Sequence, residues 1–371
     1  MTILSNSHSA NLILQDGTIY RGEGFGGLEN SYGEVVFSTN MTGYQEMLTD
    51  PSFAGQIINF TYPIIGNYGI NNDNIESGNI QASGLIVRNL CEHPSHSSSS
   101  MTLDDYLKKE GIPGIAGIDT RSLAKKLRSS GTMMGSIAFE SQTEEILERL
   151  KISTNYENLN LVESVSTKKA YWSNSDVRDP SKSTLRIAIL DYGVKYNIQR
   201  ILNSLGCTTI TLPYTSSAKD ILDLNADGLL LSPGPGNPKL MNDTIKMVKV
   251  LSDQLPIFGI CLGHQIIARA FGASTYKLKF GHHGANHPVL NTTTGKVNVT
   301  SQNHGYAVEK NSLPKELTPS FINLNDNTIE GLIHKDLPIM TLQFHGEASP
   351  GPTDNNDIFE NFIDLIRKGK H

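Results

Sequence analysis

A single cysteine lies between an apolar segment and an amphipathic helical pattern, in the sequence FGICLGHQ at residues 258–265. Gly259 and Gly263 frame Cys261 as Gly-x-Cys-x-Gly, the cysteine form of the sharp strand-to-helix turn that presents a nucleophile at the top of a sheet. Backbone N–H groups and the positive end of the helix favour the thiolate over the thiol, and the thiolate is the reactive form. The segment therefore predicts an α/β sheet with a nucleophilic cysteine where one strand ends.

The residues around this turn alternate between short apolar runs and helical patterns. Such alternation predicts a mostly parallel sheet with helices on both faces, whose ligands bind beyond the carboxyl ends of the strands. Strands are predicted at 186–190, 208–212, 228–231, 256–260, 297–300 and 339–344, and helices at 195–205, 218–224, 243–252, 262–271 and 358–366.

The first half of the chain has a different pattern, in which strand segments predominate. Strands are predicted at 11–14, 33–38, 56–60 and 82–87, and helices at 102–110 and 120–129. Residues 153–184 are rich in Asn, Ser, Asp and Lys, which indicates an irregular linker. The predicted organisation is a β-rich α/β domain at 1–152, a linker at 153–184 and an α/β domain at 185–371.

The composition argues against several classes of function. A net charge of −6 gives no electrostatic reason to expect nucleic acid or an anionic membrane as a partner. No apolar segment approaches the ~20 residues that cross a bilayer, and the first residues lack the pattern of a secretory signal. Three widely separated cysteines form neither a disulfide framework nor a CxxC metal motif, so we expect a cytoplasmic protein.

A histidine and a glutamate follow the apolar segment at 339–344. His345 and Glu347 are two residues apart, so both side chains can lie on the same side of the chain. His345 could reach the Cys261 thiol while Glu347 holds the other ring nitrogen, which is the arrangement of nucleophile, base and orienting carboxylate. A lone His-x-Glu is more often ordinary surface, and a lone cysteine more often a core residue. Their combination favours catalysis.

The loop SPGPGNP at 232–238 directly follows the strand predicted at 228–231. Gly234 and Gly236 lie between prolines, which gives a stiff loop with accessible backbone N–H groups. Together with the N–H of Leu262, this loop could stabilise the oxyanion of a tetrahedral intermediate. A tight turn at a strand end would explain the same glycines and prolines. Both interpretations stay open on this segment alone.

Other patterns carry weaker signals. The sequence GEGFGG at 22–27 matches GxGxxG, but no helix opens after it, so a dinucleotide site is not expected. No Walker A sequence is present for binding ATP. His282, His283 and His287 lack an acidic or cysteine ligand at metal spacing, and no metal site is predicted.

The segments GICLGHQ, FHGE and SPGPGNP together resemble the class I glutamine amidotransferases. The first half narrows the resemblance through three further segments, VVFSTNMTGYQE at 35–46, LTDPS at 48–52 and GIDTR at 117–121. The second half adds FGHHGANHP at 280–288, QNHGYAV at 302–308 and EASPGP at 347–352. In both halves the chain is similar to the family of small, glutamine-hydrolysing subunits of carbamoyl phosphate synthetase.

That resemblance implies a division of labour between two chains. The small subunit releases ammonia from L-glutamine, and a separate large subunit uses ATP, Mg²⁺ and bicarbonate to make carbamoyl phosphate for arginine and pyrimidine biosynthesis. No cofactor is expected on the small subunit. The resemblance makes Cys261 the attacking thiolate, His345 the base and leaving-group acid, and Glu347 its orienting partner. The residues that it implies in substrate binding are Ser52, Gly234, Gly236, Leu262, Gln265, Asn303, Gly305 and Tyr306.

The chain departs from the family pattern at three points. Gly346 stands where the family usually has proline between the histidine and the glutamate, which predicts a less rigidly held His345. Pro233 replaces the more common asparagine before Gly234 and removes one backbone N–H. The serine-rich tract at 95–100 also differs.

Two alternative functions remain. Another class I amidotransferase, serving a different synthase, would share the catalytic half but lack the motifs at 33–52. A catalytically silent structural or regulatory subunit of the same complex is disfavoured by the intact Cys261, His345 and Glu347.

Overall fold

The computed structural model describes residues 8–139, 143–173 and 185–368. The chain divides into two compact units. The first comprises Met1–Leu159 and Lys279–Gly284, and the second comprises Asn160–Leu278 and Ala285–His371. Residues 279–284 thus group with the first unit, although the sequence pattern assigned them to the second half.

Short strands dominate the first unit. The strands are β1 (His8–Leu14), β2 (Ile19–Gly26), β3 (Ser31–Ser38), β4 (Gln56–Phe60), β5 (Ile64–Ile65), β6 (Gly84–Ile86), β7 (Asn89–Leu90), β8 (Pro113–Ala116) and β9 (Met133–Ala138). The helices are α1 (Tyr44–Thr49), α2 (Leu103–Glu110), α3 (Thr120–Ser130) and α4 (Thr143–Ile152). In the described part of this unit, seven strands form a sheet that closes on itself, in the order β1-β2-β8-β6-β4-β3-β9.

Neighbouring residues of the closed sheet belong to different apolar clusters, as the two-residue period of a strand requires. In β3, Val35 packs with one cluster and Val36 with another, and both are fully buried. The predicted start of α3 is confirmed, because the Asp119 side chain accepts a hydrogen bond from the Ser122 N–H at 2.9 Å. The GxGxxG match lies almost wholly inside β2 and opens no helix.

In the second unit, strands and helices alternate. The helices are α5 (Val162–Val165), α6 (Tyr196–Ser204), α7 (Ala218–Asp223), α8 (Asn242–Leu251), α9 (Leu262–Ala270) and α10 (Asp357–Lys368). The strands are β10 (Tyr171–Ser173), β11 (Arg186–Asp191), β12 (Thr208–Pro213), β13 (Gly228–Leu231), β14 (Ile257–Ile260), β15 (Thr275–Asn291), β16 (Val297–Val308), β17 (Leu317–Asn323), β18 (Ile329–His334) and β19 (Ile339–Leu342).

The sheet that contains these strands has the order β10-β12-β11-β13-β14-β19-β18-β17-β15-β16. The predicted parallel arrangement is confirmed for its central strands, since β12, β11, β13, β14 and β19 pair in parallel. Toward the ends, β10 pairs antiparallel with β12, and β18 pairs antiparallel with both β19 and β17. The parallel centre brings the carboxyl ends of its strands to one edge, where a site can form.

Helices cover both faces of this sheet. In β13, Leu229 and Leu231 pack into one apolar cluster, which includes Ile266 of α9. Leu230, between them, packs into a second cluster that includes Phe362 of α10. The continuous apolar run of β13 is therefore explained by burial on both sides.

The segment predicted as an irregular linker contains regular structure in its described part. Residues 162–165 form α5, and Tyr171–Ser173 form β10, which extends the sheet beside β12. The serine-rich tract at 95–100 has no helix or strand. Among the helices of the described ranges, none has the length and apolar character needed to span a membrane.

Candidate active site

Cys261 lies at the junction of β14 and α9, where the predicted turn is present. Its backbone has φ 52° and ψ −102°, a conformation of a kind that costs a non-glycine residue about 1–3 kcal/mol. Close packing holds this geometry in place. A Cβ on Gly259 would lie 2.5 Å from Ile267 Cδ1, and a Cβ on Gly263 would lie 2.3 Å from the carbonyl oxygen of Leu231. Both glycines are therefore needed for α9 to lie this close to the sheet.

The sulfur of Cys261 occupies a buried position beside β16. The residue is only 1% exposed, and its Sγ lies 3.6 Å from the carbonyl oxygen of Asn303. Its backbone N–H donates to the carbonyl oxygen of Leu342 at 2.7 Å. The N–H groups in the first turn of α9, beginning with that of Leu262, have no partner within the helix. They are the donors available to an oxyanion formed next to the sulfur.

The segment after β19 carries the predicted base and its carboxylate. β19 runs parallel to β14, so both strands deliver their following residues to the same edge of the sheet. His345 Nδ1 lies 2.6 Å from Glu347 Oε1, and both side chains are buried. A carboxylate accepts hydrogen bonds but cannot donate them, so Nδ1 carries a hydrogen. Nε2 is then the nitrogen that can exchange a proton with a reacting group.

The protonation of His345 is coupled to both neighbours. Burial alone lowers the pKa of His345, but the Glu347 carboxylate and the Cys261 thiol together raise it well above its usual value. Burial raises the pKa of Glu347, but Lys195 and His345 more than offset this and lower it. His345 Nε2 makes no ordinary hydrogen bond within the described chain, although Cys261 is close enough to affect its protonation. The imidazole is therefore fixed on one side and open on the side of the thiol.

Lys195 is a fourth charged group of the site, which no motif indicated. It is 1% exposed, its Nζ lies 3.2 Å from Glu347 Oε1, and it donates to the carbonyl oxygen of Ala348. Lys195 is the N-cap residue of α6, where the helix dipole disfavours a cation. Neither the burial of Lys195 nor its anion can be read from the neighbouring sequence. Within the fold, a buried lysine at this position needs a nearby anion.

The glycines of the loop after β13 are required by its conformation. A Cβ on Gly234 would lie 2.2 Å from the carbonyl oxygen of Tyr192, and Gly236 has φ 86°. Gly305, in β16, has open space around its Cα. The turn interpretation of this loop and the substrate-binding interpretation are both compatible with this geometry, so the roles of these glycines stay predictions.

Gln265 links three segments of the site. Its Nε2 donates to the carbonyl oxygen of Tyr306 at 2.9 Å and to Oε1 of Gln343 at 3.0 Å. These bonds tie α9 to β16 and to the residues after β19. The amide nitrogen of Gln265 is therefore already engaged within the fold, and the predicted contact of Gln265 with a substrate stays a prediction.

Ser52 belongs to the first unit. It lies in a single 3₁₀ turn, Pro51–Phe53, and its backbone N–H donates to Asp50 Oδ1 at 2.8 Å. The side chain is buried, and its hydroxyl has no hydrogen-bond partner in the described chain. The predicted contact of Ser52 with the substrate remains a prediction.

A buried polar network supports the segment that carries Asn303 and Tyr306. Gln302 Nε2 donates to Glu330 Oε2 at 2.9 Å, which turns Gln302 Oε1 toward His304 Nε2 at 2.8 Å. His304 Nδ1 lies 2.7 Å from the carbonyl oxygen of Tyr306. Both ring nitrogens of His304 therefore lie within hydrogen-bond distance of oxygen atoms, one from a side chain and one from the main chain. Gln302 thus links the Glu330 carboxylate to the His304 ring, an arrangement that no sequence motif indicated.

Two family models match the chain, one in each half. Residues 12–137 match the carbamoyl-phosphate synthase small chain, CPSase domain, and residues 188–365 match the glutamine amidotransferase class-I family. The first match argues against an amidotransferase serving a different synthase, because such a protein would share only the second half.

Several relatives match the chain over almost its whole length. The chain is 50% identical over 361 residues to the carbamoyl phosphate synthase small chain of Bacillus thuringiensis subsp. konkukian, covering 97% of this chain and 96% of that one. It is 50% identical over 356 residues to the carbamoyl phosphate synthase pyrimidine-specific small chain of Bacillus subtilis, covering 96% and 95%. It is 48% identical over 357 residues to the carbamoyl phosphate synthase small chain of Listeria monocytogenes, covering 96% of each. The chain therefore belongs to the carbamoyl phosphate synthase small chain family, and its second half is a class I glutamine amidotransferase domain.

Proposed function

We propose that this chain hydrolyses L-glutamine through Cys261, His345 and Glu347 and supplies the ammonia to a large synthetase subunit. The observation that carries the proposal is the arrangement of three buried groups. Cys261 is held at a strained turn, His345 is coupled to it, and Glu347 binds the far nitrogen of the imidazole. Membership of the family supports the same chemistry.

The reaction proceeds in two steps. The sulfur of Cys261 attacks the carbonyl carbon of the glutamine side-chain amide, and the C–N bond breaks as His345 gives its Nε2 proton to the departing nitrogen. Ammonia leaves and a thioester remains. Water then attacks the thioester carbonyl and gives a proton to His345, and the C–S bond breaks to release glutamate and the thiolate. Backbone N–H groups, led by that of Leu262, stabilise the oxyanion of each step, typically by about 2.7–4 kcal/mol for one donor.

The ammonia is used by a second chain. In bulk water ammonia would become protonated and lose the lone pair that makes it a nucleophile, so we expect a stable complex with the large subunit. ATP, Mg²⁺ and bicarbonate are used on that subunit, and this chain needs no cofactor of its own. The carbamoyl phosphate would serve arginine and pyrimidine biosynthesis. Three cysteines without disulfide bonds are consistent with a cytoplasmic location.

The test uses the complex of this chain with its large subunit. Cys261→Ser should lower glutamine-dependent synthesis of carbamoyl phosphate by at least about 10³-fold, while synthesis from added ammonia continues. A thiol-reactive glutamine analogue should label Cys261 once per chain in the wild type. Cys91→Ser, at a half-buried cysteine of the first unit, is the matched control and should keep full activity. Full glutaminase activity in Cys261→Ser would refute the mechanism.

A further inference from the structure

We propose that Lys195 is a positioning residue that balances the charge of Glu347, so that one buried site can hold the Cys261 thiolate and the His345 imidazolium together. The proposal rests on the glutaminase mechanism above and assigns it a fourth charged member. Lys195 acts through Glu347 and the main chain, without touching the reacting atoms.

A rigid turn delivers Lys195 to the site. β11 ends at Asp191, whose Oδ1 accepts hydrogen bonds from the N–H groups of Gly193 at 2.9 Å and Val194 at 2.8 Å. Gly193 has φ 138°, in the region that favours glycine. These bonds fix the path from the strand to α6. The Lys195 side chain therefore enters the site from a well-defined backbone position.

Lys195 and His345 bind the same oxygen of Glu347. Lys195 Nζ lies 3.2 Å from Oε1, and His345 Nδ1 lies 2.6 Å from it. Glu347 Oε2 is buried and has no hydrogen-bond partner within the described chain. One carboxylate oxygen thus interacts with two cationic groups, Lys195 and protonated His345. Loss of either group changes the interaction of the carboxylate with the other.

The first turn of α6 also holds the main chain after Glu347. Lys195 donates to the carbonyl oxygen of Ala348, and Asn197 Nδ2 donates to that of Glu347 at 2.6 Å. Ala348 and Ser349 have φ 54° and 53°, which non-glycine residues adopt only where the surroundings hold them. The two hydrogen bonds provide that support, so α6 sets both the backbone and the charge of Glu347.

The charge balance follows from the groups that face Lys195. The charges of Lys195 and Glu347 cancel each other, so these two groups together add no net charge beside the Cys261–His345 pair, whether that pair is neutral or ionised. Without Lys195, an uncompensated carboxylate would oppose the thiolate and hold the proton of His345 more tightly. Removal of a buried cation raises the pKa of every neighbouring acid. Asp191, four residues earlier, is engaged by the N–H groups of its own turn and of Thr167.

The experiment measures alkylation of Cys261 by iodoacetamide against pH in the full-length chain, with the modified residue identified by mass spectrometry. The acid side of the profile is the range in which the alkylation rate rises with pH. In Lys195→Met it should move to higher pH by about one unit, so that the alkylation rate at a fixed pH in that range falls about tenfold. At higher pH the rate should return to near the wild-type plateau. Lys195→Arg keeps the charge and should restore the position of the profile. Lys219→Met removes an exposed lysine paired with Asp223 and should change nothing.

A uniform loss at every pH would show a purely structural role for Lys195 and overturn the proposal, as would an unshifted profile. If Lys195→Met does not fold, the comparison moves to Glu347→Gln. That variant should shift the acid side to lower pH, and adding Lys195→Met should shift it back. An absent return shift would again overturn the proposal. Iodoacetamide needs no glutamine site, so a failure of the glutamine analogue to label the wild type would count against the proposed function alone.

Discussion

Replacing Gly263 by alanine tests whether catalysis depends on the close approach of α9 to the sheet. Gly263 is the second residue of α9, and by helix propensity alone alanine would be favoured by about 1 kcal/mol. The structure predicts the opposite outcome. The new Cβ would lie 2.3 Å from the carbonyl oxygen of Leu231 and 2.8 Å from its carbonyl carbon. Leu231 is the fully buried last residue of β13 and cannot retreat.

The magnitude follows from the movement that the methyl group demands. Ordinary contact begins at 3.4 Å, so α9 and the turn before it would have to shift by about 1.1 Å. Overpacking of this kind typically costs about 1–3 kcal/mol, and the gain in helix propensity offsets part of it. We expect the free energy of unfolding to fall by about 1–2 kcal/mol. A displacement of about 1 Å in a catalytic group costs about 10²-fold in rate, so the glutaminase rate should fall about 100-fold.

The assay compares chemical denaturation with glutamine hydrolysis in the complex with the large subunit. The matched control is Gly111→Ala. Gly111 lies at the end of α2, where it has φ 70° and open space around it. Its left-handed backbone costs alanine about 1–2 kcal/mol, which matches the loss of stability without moving Cys261. The control should keep its glutaminase rate. A near-wild-type rate in Gly263→Ala, or an equal loss in both variants, would refute the reasoning.

Two further predictions concern the segment 345–347. Gly346→Pro should raise stability by up to about 0.4–1 kcal/mol and raise the glutaminase rate, because the unfolded chain loses freedom. The closest atom to a Cβ there is the end of the Leu342 side chain, Cδ1 at 3.2 Å, which has to give by only a few tenths of an ångström. An unchanged or lower rate in a steady-state assay would argue against a less rigidly held His345. The pKa of His345 is raised from 6.5 to about 10, so its stabilising contribution is complete below pH 6.5 and is lost as the pH rises toward 10. The melting temperature of the wild type should fall over that interval more than that of Glu347→Gln, and parallel curves would contradict the coupling.

The parts of the site that could be predicted from the sequence depend on the spacing of residues that are close together in the chain. The turn at Cys261 needs small residues two positions to either side, and the structure shows why, since a Cβ on Gly259 or Gly263 would collide with neighbouring atoms. The two-residue spacing of His345 and Glu347 likewise allows one hydrogen bond at 2.6 Å. The parallel strands could also be predicted from local sequence, because a strand that is buried on both faces, such as β13, is an unbroken apolar segment.

The unpredicted elements lack such local signals. β15 is a 17-residue strand whose sequence is rich in Gly, His and Lys, so it shows no apolar alternation. β10 is three residues long and lies in a polar segment, and pairing with β12 rather than its own composition makes it a strand. In both cases backbone pairing with a distant segment decides the structure.

The predicted catalytic residues differ in the same way from the residues that support them. Lys195 binds the carbonyl oxygen of a residue 153 positions away, and the His304 ring is linked through Gln302 to Glu330 in a different strand. The predicted nucleophile and base are recognisable because each has a characteristic spacing to neighbouring residues, Cys261 to its two glycines and His345 to Glu347. A charge-balancing partner needs only to be close in space, and any segment of the fold can supply it. The proposed catalytic groups are therefore recognisable from local sequence, while the buried charged groups around them are brought together by the topology of the second unit.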